Sequence, residues 1–260
     1  MVRWKGGIRG AGKIFNMMKI ALLGYGKMGK AIERMACERG HEVVFIADDH
    51  DRSVEQDERL READVAIEFT MPAAAVDNYT WCFRNRIPVV SGTTGWLNRW
   101  EEVIGMCKEL QGSFFYASNF SIGVNIFFHL NRWLAKTMSR FEGYKVFVEE
   151  THHIHKLDAP SGTAIALAEG IMEQHGKYSS WKLDGEPVRE GEIPITAKRE
   201  GEVPGIHSVT YQSDADEIKI YHSALSREGF ALGAIMAAEF LVGRKGVYGM
   251  EDLLHLDNNK

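Results

Sequence analysis

Between Glu150 and Ala164 the chain reads Glu-Thr-His-His-Ile-His-Lys-Leu-Asp-Ala-Pro-Ser-Gly-Thr-Ala. His152, His153, His155 and Lys156 crowd into one short stretch, and residues that open helices follow at once. Imidazole titrates near neutral pH, and a partly desolvated lysine can be tuned toward it, so either can deliver a proton during a reduction. Pro160 and Ser161 suit a helix entrance, the first by its fixed φ and the second by its capping oxygen. The N–H groups of Gly162 and Thr163, with the Thr163 hydroxyl, then face outward as an anion pocket. Lys156 and the histidines add positive charge there, and a small carboxylate is the natural occupant. Two blander readings compete: a zinc site at His152, His153 and His155, and a solvated polar strand. Consecutive histidines on an extended strand point to opposite faces and chelate poorly, and no cysteine is near, so no metal is expected.

Such groups need a cleft, and the first half of the chain predicts one wall of it. Lys19 to Leu23 is a short apolar strand, Gly24-Tyr25-Gly26-Lys27-Met28-Gly29 follows, and Ala31, Ile32, Met35 and Ala36 give helical spacing up to Gly40. A second strand, Val43 to Ala47, ends in Asp48-Asp49. This is a βαβ unit with a glycine-rich first turn, and it predicts a dinucleotide site. Gly24 permits the tight turn, Gly26 the close approach of a pyrophosphate, and Gly29 the packing of helix on strand. Asp48 is placed to accept from ribose hydroxyls. Paired with Asp49 it repels a 2′-phosphate, partly offset by His50 and Arg52, so NADH is expected ahead of NADPH. The alternative is a glycine-rich turn that binds no nucleotide.

Further strands end in Phe69-Thr70, in Gly92-Thr93-Thr94 and in Ala117-Ser118-Asn119-Phe120, with a helix over Ala73 to Phe83. In open parallel sheets ligands lie beyond the carboxyl ends of strands, so these segments complete the cleft wall. Tyr144 to Glu150 reads as a strand that delivers His152 to a sheet edge, and Ala164 to Met172 as a helix. Residues 176–205 read as a long charged excursion around short strands. His207 to Gln212 and Glu217 to His222 alternate as an antiparallel pair with one covered face, the open face suiting a partner subunit. Gly233 to Val242 is a last apolar helix, long enough to pack back on the first half.

Composition sets outer bounds. A net charge of −5 gives no general basic field for nucleic acid. No apolar run approaches the roughly 20 residues that cross a bilayer, so no membrane partner is expected. Cys37, Cys82 and Cys107 are widely spaced and odd in number, which fits reduced thiols in a cytoplasm. Residues 1–17 read as a basic N-terminal extension, expected to be poorly ordered, with Met17 or Met18 as an alternative start. Its Gly10-Ala11-Gly12-Lys13 mimics a phosphate loop without a preceding strand.

From about Met18 onward the chain resembles the 4-hydroxy-tetrahydrodipicolinate reductase (dihydrodipicolinate reductase) family of bacterial lysine biosynthesis. The resemblance is carried by Glu150-x-His152-His153-x-x-Lys156-x-Asp158-Ala159-Pro160-Ser161-Gly162-Thr163-Ala164. Gly92 to Gly95, Ser118 to Ser121, His222-x-Ala224-x-Ser226-Arg227 and Phe230-Ala231-x-Gly233-Ala234 add to it. It implies His152 as a proton donor/acceptor, Lys156 as the proton donor, and His153 with the Gly162–Thr163 backbone as the carboxylate site. It implies that Gly24 to Gly29, Asp48, Phe69, Thr70, Gly92 to Thr94 and Ala117 to Phe120 hold the nicotinamide coenzyme. The implied α/β fold is a Rossmann-type parallel sheet domain plus a smaller α+β domain with a mixed, largely antiparallel sheet. Residues 18–121 form the first, completed by 228–260, and residues 122–227 the second, which binds substrate and builds a homotetramer. The implied reaction is NAD(P)H-dependent reduction of a small cyclic hydroxy-imine dicarboxylate to tetrahydrodipicolinate, in the cytoplasm. Departures from the family pattern are a shorter glycine loop, Glu68 where many members carry Asp, and Asp49 where some carry Arg.

Three other readings compete. An aspartate-semialdehyde type dehydrogenase needs an activated cysteine, yet neither Cys37 nor Cys82 opens a helix beside a basic group. A short-chain dehydrogenase needs Tyr-x-x-x-Lys, which Tyr178 and Lys182 match without a strand–helix context. A non-catalytic nucleotide sensor would keep the glycine loop but has no use for His152 and Lys156.

Overall fold

The computed structural model describes residues 16–48, 58–184, 189–226 and 228–256. Asp49, His50, Arg52, Arg227, the Gly10–Lys13 loop and nearly all of the N-terminal extension lie outside them. The chain opens with β1 (Lys19–Leu23), α1 (Lys27–Glu38) and β2 (Glu42–Ala47). A single-turn α2 (Glu58–Arg61) precedes β3 (Val65–Glu68), α3 (Pro72–Arg84), β4 (Val89–Ser91), α4 (Trp100–Glu109) and β5 (Ser113–Tyr116). Successive strand residues point to opposite faces, and here both faces are apolar: Ile20 and Leu22 enter one core, Ala21 and Leu23 the other. That pattern requires helices on both sides of a parallel sheet. α3 and α4 cover one face through Val76, Tyr79, Phe83 and Val103.

The long helix α5 (Ile122–Met138) begins where Ser121 accepts a hydrogen bond from the Val124 N–H at 3.3 Å. It leads to a second sheet of β6 (Lys145–His152), β7 (Ser180–Leu183), β8 (Glu192–Arg199), β9 (Ile206–Gln212) and β10 (Glu217–Ser223), in the order β10-β9-β6-β8-β7. The helix α6 (Gly162–Gln174) packs with α5 on one face, over Val146, Val148, Ile193, Ile195 and Val209. Each such aliphatic side chain contributes about 1.5–3 kcal/mol by leaving water. The sheet is mixed: β9 is antiparallel to β6 and to β10, while β8 is parallel to β6 and to β7. The parallel half is larger than expected because residues 176–205 are not mainly an excursion. β6 hands over to α6, and a strand–helix–strand crossover returns the chain parallel.

α7 (Glu228–Leu241) then returns to the first sheet and covers its other face beside α1, with Ala231, Ala234, Ile235, Ala238 and Leu241 in the core. It starts five residues before the apolar run Gly233 to Val242. β11 (Gly246–Tyr248) pairs parallel to β5, and α8 (Met250–Leu254) closes the described chain. The six-stranded order is β11-β5-β4-β3-β1-β2. Strand order reverses between β1 and β3, which opens a crevice at their carboxyl ends.

Candidate active site

The crevice is lined by loops that only glycine permits. Gly24 follows β1 with φ of +93°, and a Cβ there would stand 2.1 Å from the Phe69 carbonyl oxygen after β3. A Cβ on Gly29 would stand 2.4 Å from the Gly24 carbonyl oxygen, so the first turn of α1 packs directly on the loop. Gly26 is different: a Cβ would meet nothing within 4 Å, and as the N-cap of α1 it makes no side-chain capping bond. The first-turn N–H groups therefore open onto free space where an anion fits. Met28 packs against the core, which leaves its N–H as its contribution, and Lys27 is exposed. The Tyr25 hydroxyl donates to Glu33, which raises the phenol's pKa, and Lys30 lies 5.6 Å from its ring centroid. Asp48 is exposed at the end of β2.

Beside this loop, Glu68 is fully buried at the end of β3. It accepts from Ser91 Oγ at 2.7 Å, Thr93 Oγ1 at 2.9 Å, the Thr70 N–H at 3.1 Å and the Thr70 hydroxyl. With four donors its burial is compensated, and it fixes Thr70 and Thr93 in place. The Phe69 ring closes on Gly92, where a Cβ would be 2.2 Å away, and lies 5.6 Å from the Phe120 ring. Asn119 accepts from the Ser121 N–H at 2.9 Å, and its carbonyl accepts from Asn125 at 2.8 Å, tying the Ala117–Phe120 segment to α5. Thr94 and Ser118 are exposed beside them. Every residue expected to hold coenzyme thus stands at the carboxyl end of a β1–β5 strand or in the first turn of α1.

The second sheet carries the proton-transfer groups. β6 runs on through His152, two residues beyond the Tyr144–Glu150 pattern, so Glu150 and His152 share the helix-covered face with Val146 and Val148. The strand then stops. The Lys156 N–H donates to the His153 carbonyl at 3.1 Å, closing a turn that brings the His153 and His155 rings to 6.0 Å. The extended-strand premise that sent neighbouring histidines to opposite faces therefore fails beyond His152. His155 is exposed and lies 3.1 Å from Glu202, away from the buried groups.

Glu150 is fully buried and organises its neighbours. Its Oε1 accepts from the Ser161 N–H at 3.0 Å and from Arg199 Nη2 at 3.2 Å. Its Oε2 lies 3.2 Å from His152 Nδ1 and 3.7 Å from His207 Nε2. Burial pushes the carboxyl up, but the bonds from His152 and Ser161 outweigh it and hold the pKa at about 2. Burial, with the neighbouring His152, pushes His207 down to about 4. Sheet register explains the grouping: Glu150 pairs with His207 on β9, and His207 with His222 on β10. His222 in turn lies against Gly123, where a Cβ would be 2.9 Å from its Nε2. A polar row thus runs from Glu150 to the helix that begins just after Phe120. Glu150, His152 and His207 each bring one ligand atom within 4.8 Å of the others, a trio distinct from the one weighed in the sequence. The guanidinium on the same carboxylate already supplies the positive charge a cation would bring, which favours proton sharing.

Lys156 Nζ donates to both carboxylate oxygens of Asp158 at 2.7 Å and lowers that carboxyl's pKa. At the head of α6 the Ser161 hydroxyl accepts from the Ala164 N–H at 3.2 Å and lies 3.3 Å from His207 Nε2. The cap is spent on Ala164, so the Gly162 and Thr163 N–H groups have no partner within the helix. Gly162 is exposed, and a Cβ there would meet nothing within 4 Å. Arg199, His207 and Glu68 were not singled out as site residues in the sequence. Only Glu68 left a trace there, as a departure from a family pattern.

The competing chemistries lack their groups. Burial pushes the Cys82 thiol up and the Cys107 thiol to about 11, and Cys37 is exposed on α1. Tyr178 is buried in the second core, where its hydroxyl accepts from the Val146 N–H at 3.3 Å. A cavity of about 620 Å³ near His175 and Lys177 includes none of the candidate coenzyme, substrate or proton-transfer residues.

Two family models match: dihydrodipicolinate reductase, N-terminus, over residues 18–120, and dihydrodipicolinate reductase, C-terminus, over residues 123–254. A 4-hydroxy-tetrahydrodipicolinate reductase of Christiangramia forsetii is 53% identical over 237 residues, covering 91% of this chain and 98% of its own. One from Neisseria meningitidis serogroup B is 35% identical, covering 83% and 79%. In fold, the chain is similar to a dipicolinate-bound dihydrodipicolinate reductase from Paenisporosarcina sp. TG-14, with a TM-score of 0.72 at 22% identity, covering 91% and 99%. The chain belongs to the dihydrodipicolinate reductase family.

Proposed function

We propose that this member of the dihydrodipicolinate reductase family reduces 4-hydroxy-tetrahydrodipicolinate to tetrahydrodipicolinate with NAD(P)H, in the diaminopimelate route to lysine. The reading rests above all on one observation: the open N-terminus of α6, with Gly162 and Thr163 N–H groups unpartnered within the helix, is tied through Ser161 to Glu150, the carboxylate that faces His152 and that Arg199 joins to the Lys156 backbone. A similar enzyme has been solved with dipicolinate, a planar dicarboxylate of the same carbon skeleton. In our reading the Gly162 and Thr163 N–H groups and His153 hold substrate carboxylate. Lys156, held by Asp158, donates a proton, and His152 serves as proton donor/acceptor. The reduced coenzyme supplies the hydride to the ring after water has left. The chain holds it through the α1 N-terminus at Gly26, through Asp48, and through the Thr70, Thr93 and Asn119 loops. The free space at Gly26 and the uncapped first turn suit a pyrophosphate. NADH is the preferred coenzyme, because the Asp48 carboxylate at the ribose position disfavours a 2′-phosphate.

We assign residues 18–121 with 228–260 to coenzyme and 122–227 to substrate and assembly. A homotetramer is supported by the uncovered face of the second sheet, where Phe147 and Tyr221 are exposed, and by Leu157 and Leu225 at 98% and 90% exposure. Among the described residues no helix is long and apolar enough to cross a membrane. The reading places the enzyme in the cytoplasm, where reduced nicotinamide is kept. The test is a coupled assay that supplies the upstream synthase's product and follows reduced nicotinamide absorbance with each coenzyme. Wild type consumes NADH, and Lys156→Ala lowers turnover by about 10²–10⁴-fold with coenzyme affinity unchanged. Binding of NADH without its oxidation, or full turnover in the variant, overturns the reading.

A further inference from the structure

We propose that Arg199 is a positioning residue that sets both proton-handling side chains of the cleft at once. β8 runs parallel beside β6, and its last residue, Arg199, is the register partner of His152, the last residue of β6. From there its guanidinium fans out to four acceptors. Nη2 donates to the Asp158 carbonyl at 2.6 Å and to Glu150 Oε1 at 3.2 Å. Nε donates to the Lys156 carbonyl at 3.3 Å, and Nη1 to the Lys198 carbonyl at 2.7 Å. One rigid plane therefore joins the carboxylate behind His152 to the backbone that carries Lys156 and Asp158.

The two ends of that plane act differently. At Glu150, Oε1 is taken by Arg199 and the Ser161 N–H, which leaves Oε2 for His152 Nδ1 at 3.2 Å. The contact is close but lacks hydrogen-bond geometry; since an ionised carboxylate only accepts, it favours the tautomer with its proton on the facing Nδ1. Nε2 is then the nitrogen on the far side, next to Gly205, where a Cβ would be 3.1 Å away. At the other end, the bonds to the Lys156 and Asp158 carbonyls fix the turn from which the Lys156 ammonium and its Asp158 partner project. A lysine at 199 would keep the charge but not the fork, because an ammonium cannot reach separated acceptors in one plane. Nothing in the local sequence announces this role, since Arg199 lies 49, 43 and 41 positions from Glu150, Lys156 and Asp158.

The proposal rests on the reductase reading, and the experiment separates the two. The full-length Arg199→Lys and Arg199→Ala variants are assayed with the upstream synthase's product and NADH, alongside wild type. Wild type inert in that assay sinks the reductase reading itself. With wild type active, Arg199→Lys is expected to lose about 10-fold or more in kcat and to shift the pH profile of kcat, with the NADH Kd within about twofold. Arg199→Ala is expected to lose about 100-fold and to recover in part when ethylguanidinium is added. Both proteins are checked for folding by circular dichroism, and Arg199→Lys carries the test if Arg199→Ala does not fold. Wild-type kcat or an unchanged pH profile in Arg199→Lys, or no rescue of a folded Arg199→Ala, overturns the proposal.

Discussion

His207 makes stability depend on pH within a defined window. Beneath the head of α6 its imidazole is pushed down to about 4, by burial first and by the neighbouring His152 second, from 6.5 in a free chain. As pH falls below 6.5, the unfolded chain takes up a proton that the folded chain refuses. Stability is therefore complete above about 6.5, declines on acidification, and stops declining near 4. Between pH 7 and pH 5 the loss from this one group is about 2 kcal/mol, and over the whole window about 3 kcal/mol. Glu150 works lower: its carboxyl falls from 4.5 to about 2, so its contribution is present above 4.5 and is lost only as pH drops toward 2. Urea unfolding of wild type and His207→Asn at pH 7 and pH 5 isolates the first effect. His175 and His222 are also pushed down by burial, but both proteins share them. Wild type should lose about 2 kcal/mol more than the variant over that interval, whatever the variant costs at pH 7. Parallel losses in the two proteins would refute the reasoning.

Other consequences follow from the crevice. Gly26→Ala should leave the melting temperature unchanged, since its Cβ meets nothing, yet weaken NADH about tenfold or more in a fluorescence titration. Gly24→Ala should instead cost about 1–3 kcal/mol of stability, because it combines a φ of +93° with a 2.1 Å approach to a carbonyl. If the two alanines behave alike, the division between a folding glycine and a binding glycine is wrong. Glu68→Gln removes one acceptor from the buried cluster of Thr70, Ser91 and Thr93 and should destabilise by about 1–3 kcal/mol in urea. Its NADH affinity should fall with it, and intact affinity would show that the cluster does not order the coenzyme loops.

The parts of this molecule that were legible in the sequence are those whose signal is local. The glycine turn between β1 and α1 announces itself by spacing, and Pro160-Ser161-Gly162 by helix-entrance chemistry. The misreadings share the opposite cause. β7 and β8 went unrecognised as a parallel pair because residues 176–205 are rich in charge, and a two-stranded edge next to β6 needs only Ile193 and Ile195 in the core. His207 and Arg199 reach Glu150 and His152 through strand pairing across the sheet, which no window of sequence contains. The histidine run misled in a subtler way. Its strand character ends at His152, and a turn signalled by no glycine or proline swings His153 and His155 together.

α7 ties the timing of assembly to chain order. The sheet built from the first hundred or so residues has Ile20, Leu22, Ile67 and Phe115 waiting on one side for Ala231 to Leu241. A ribosome delivers those residues late, after the entire second sheet has emerged. Until then α1 covers only part of that side and the rest stays apolar and exposed, the kind of intermediate that chaperones bind. The late helix works as a latch, so a nucleotide crevice backed on both sides exists only in a chain that already carries its proton-transfer groups.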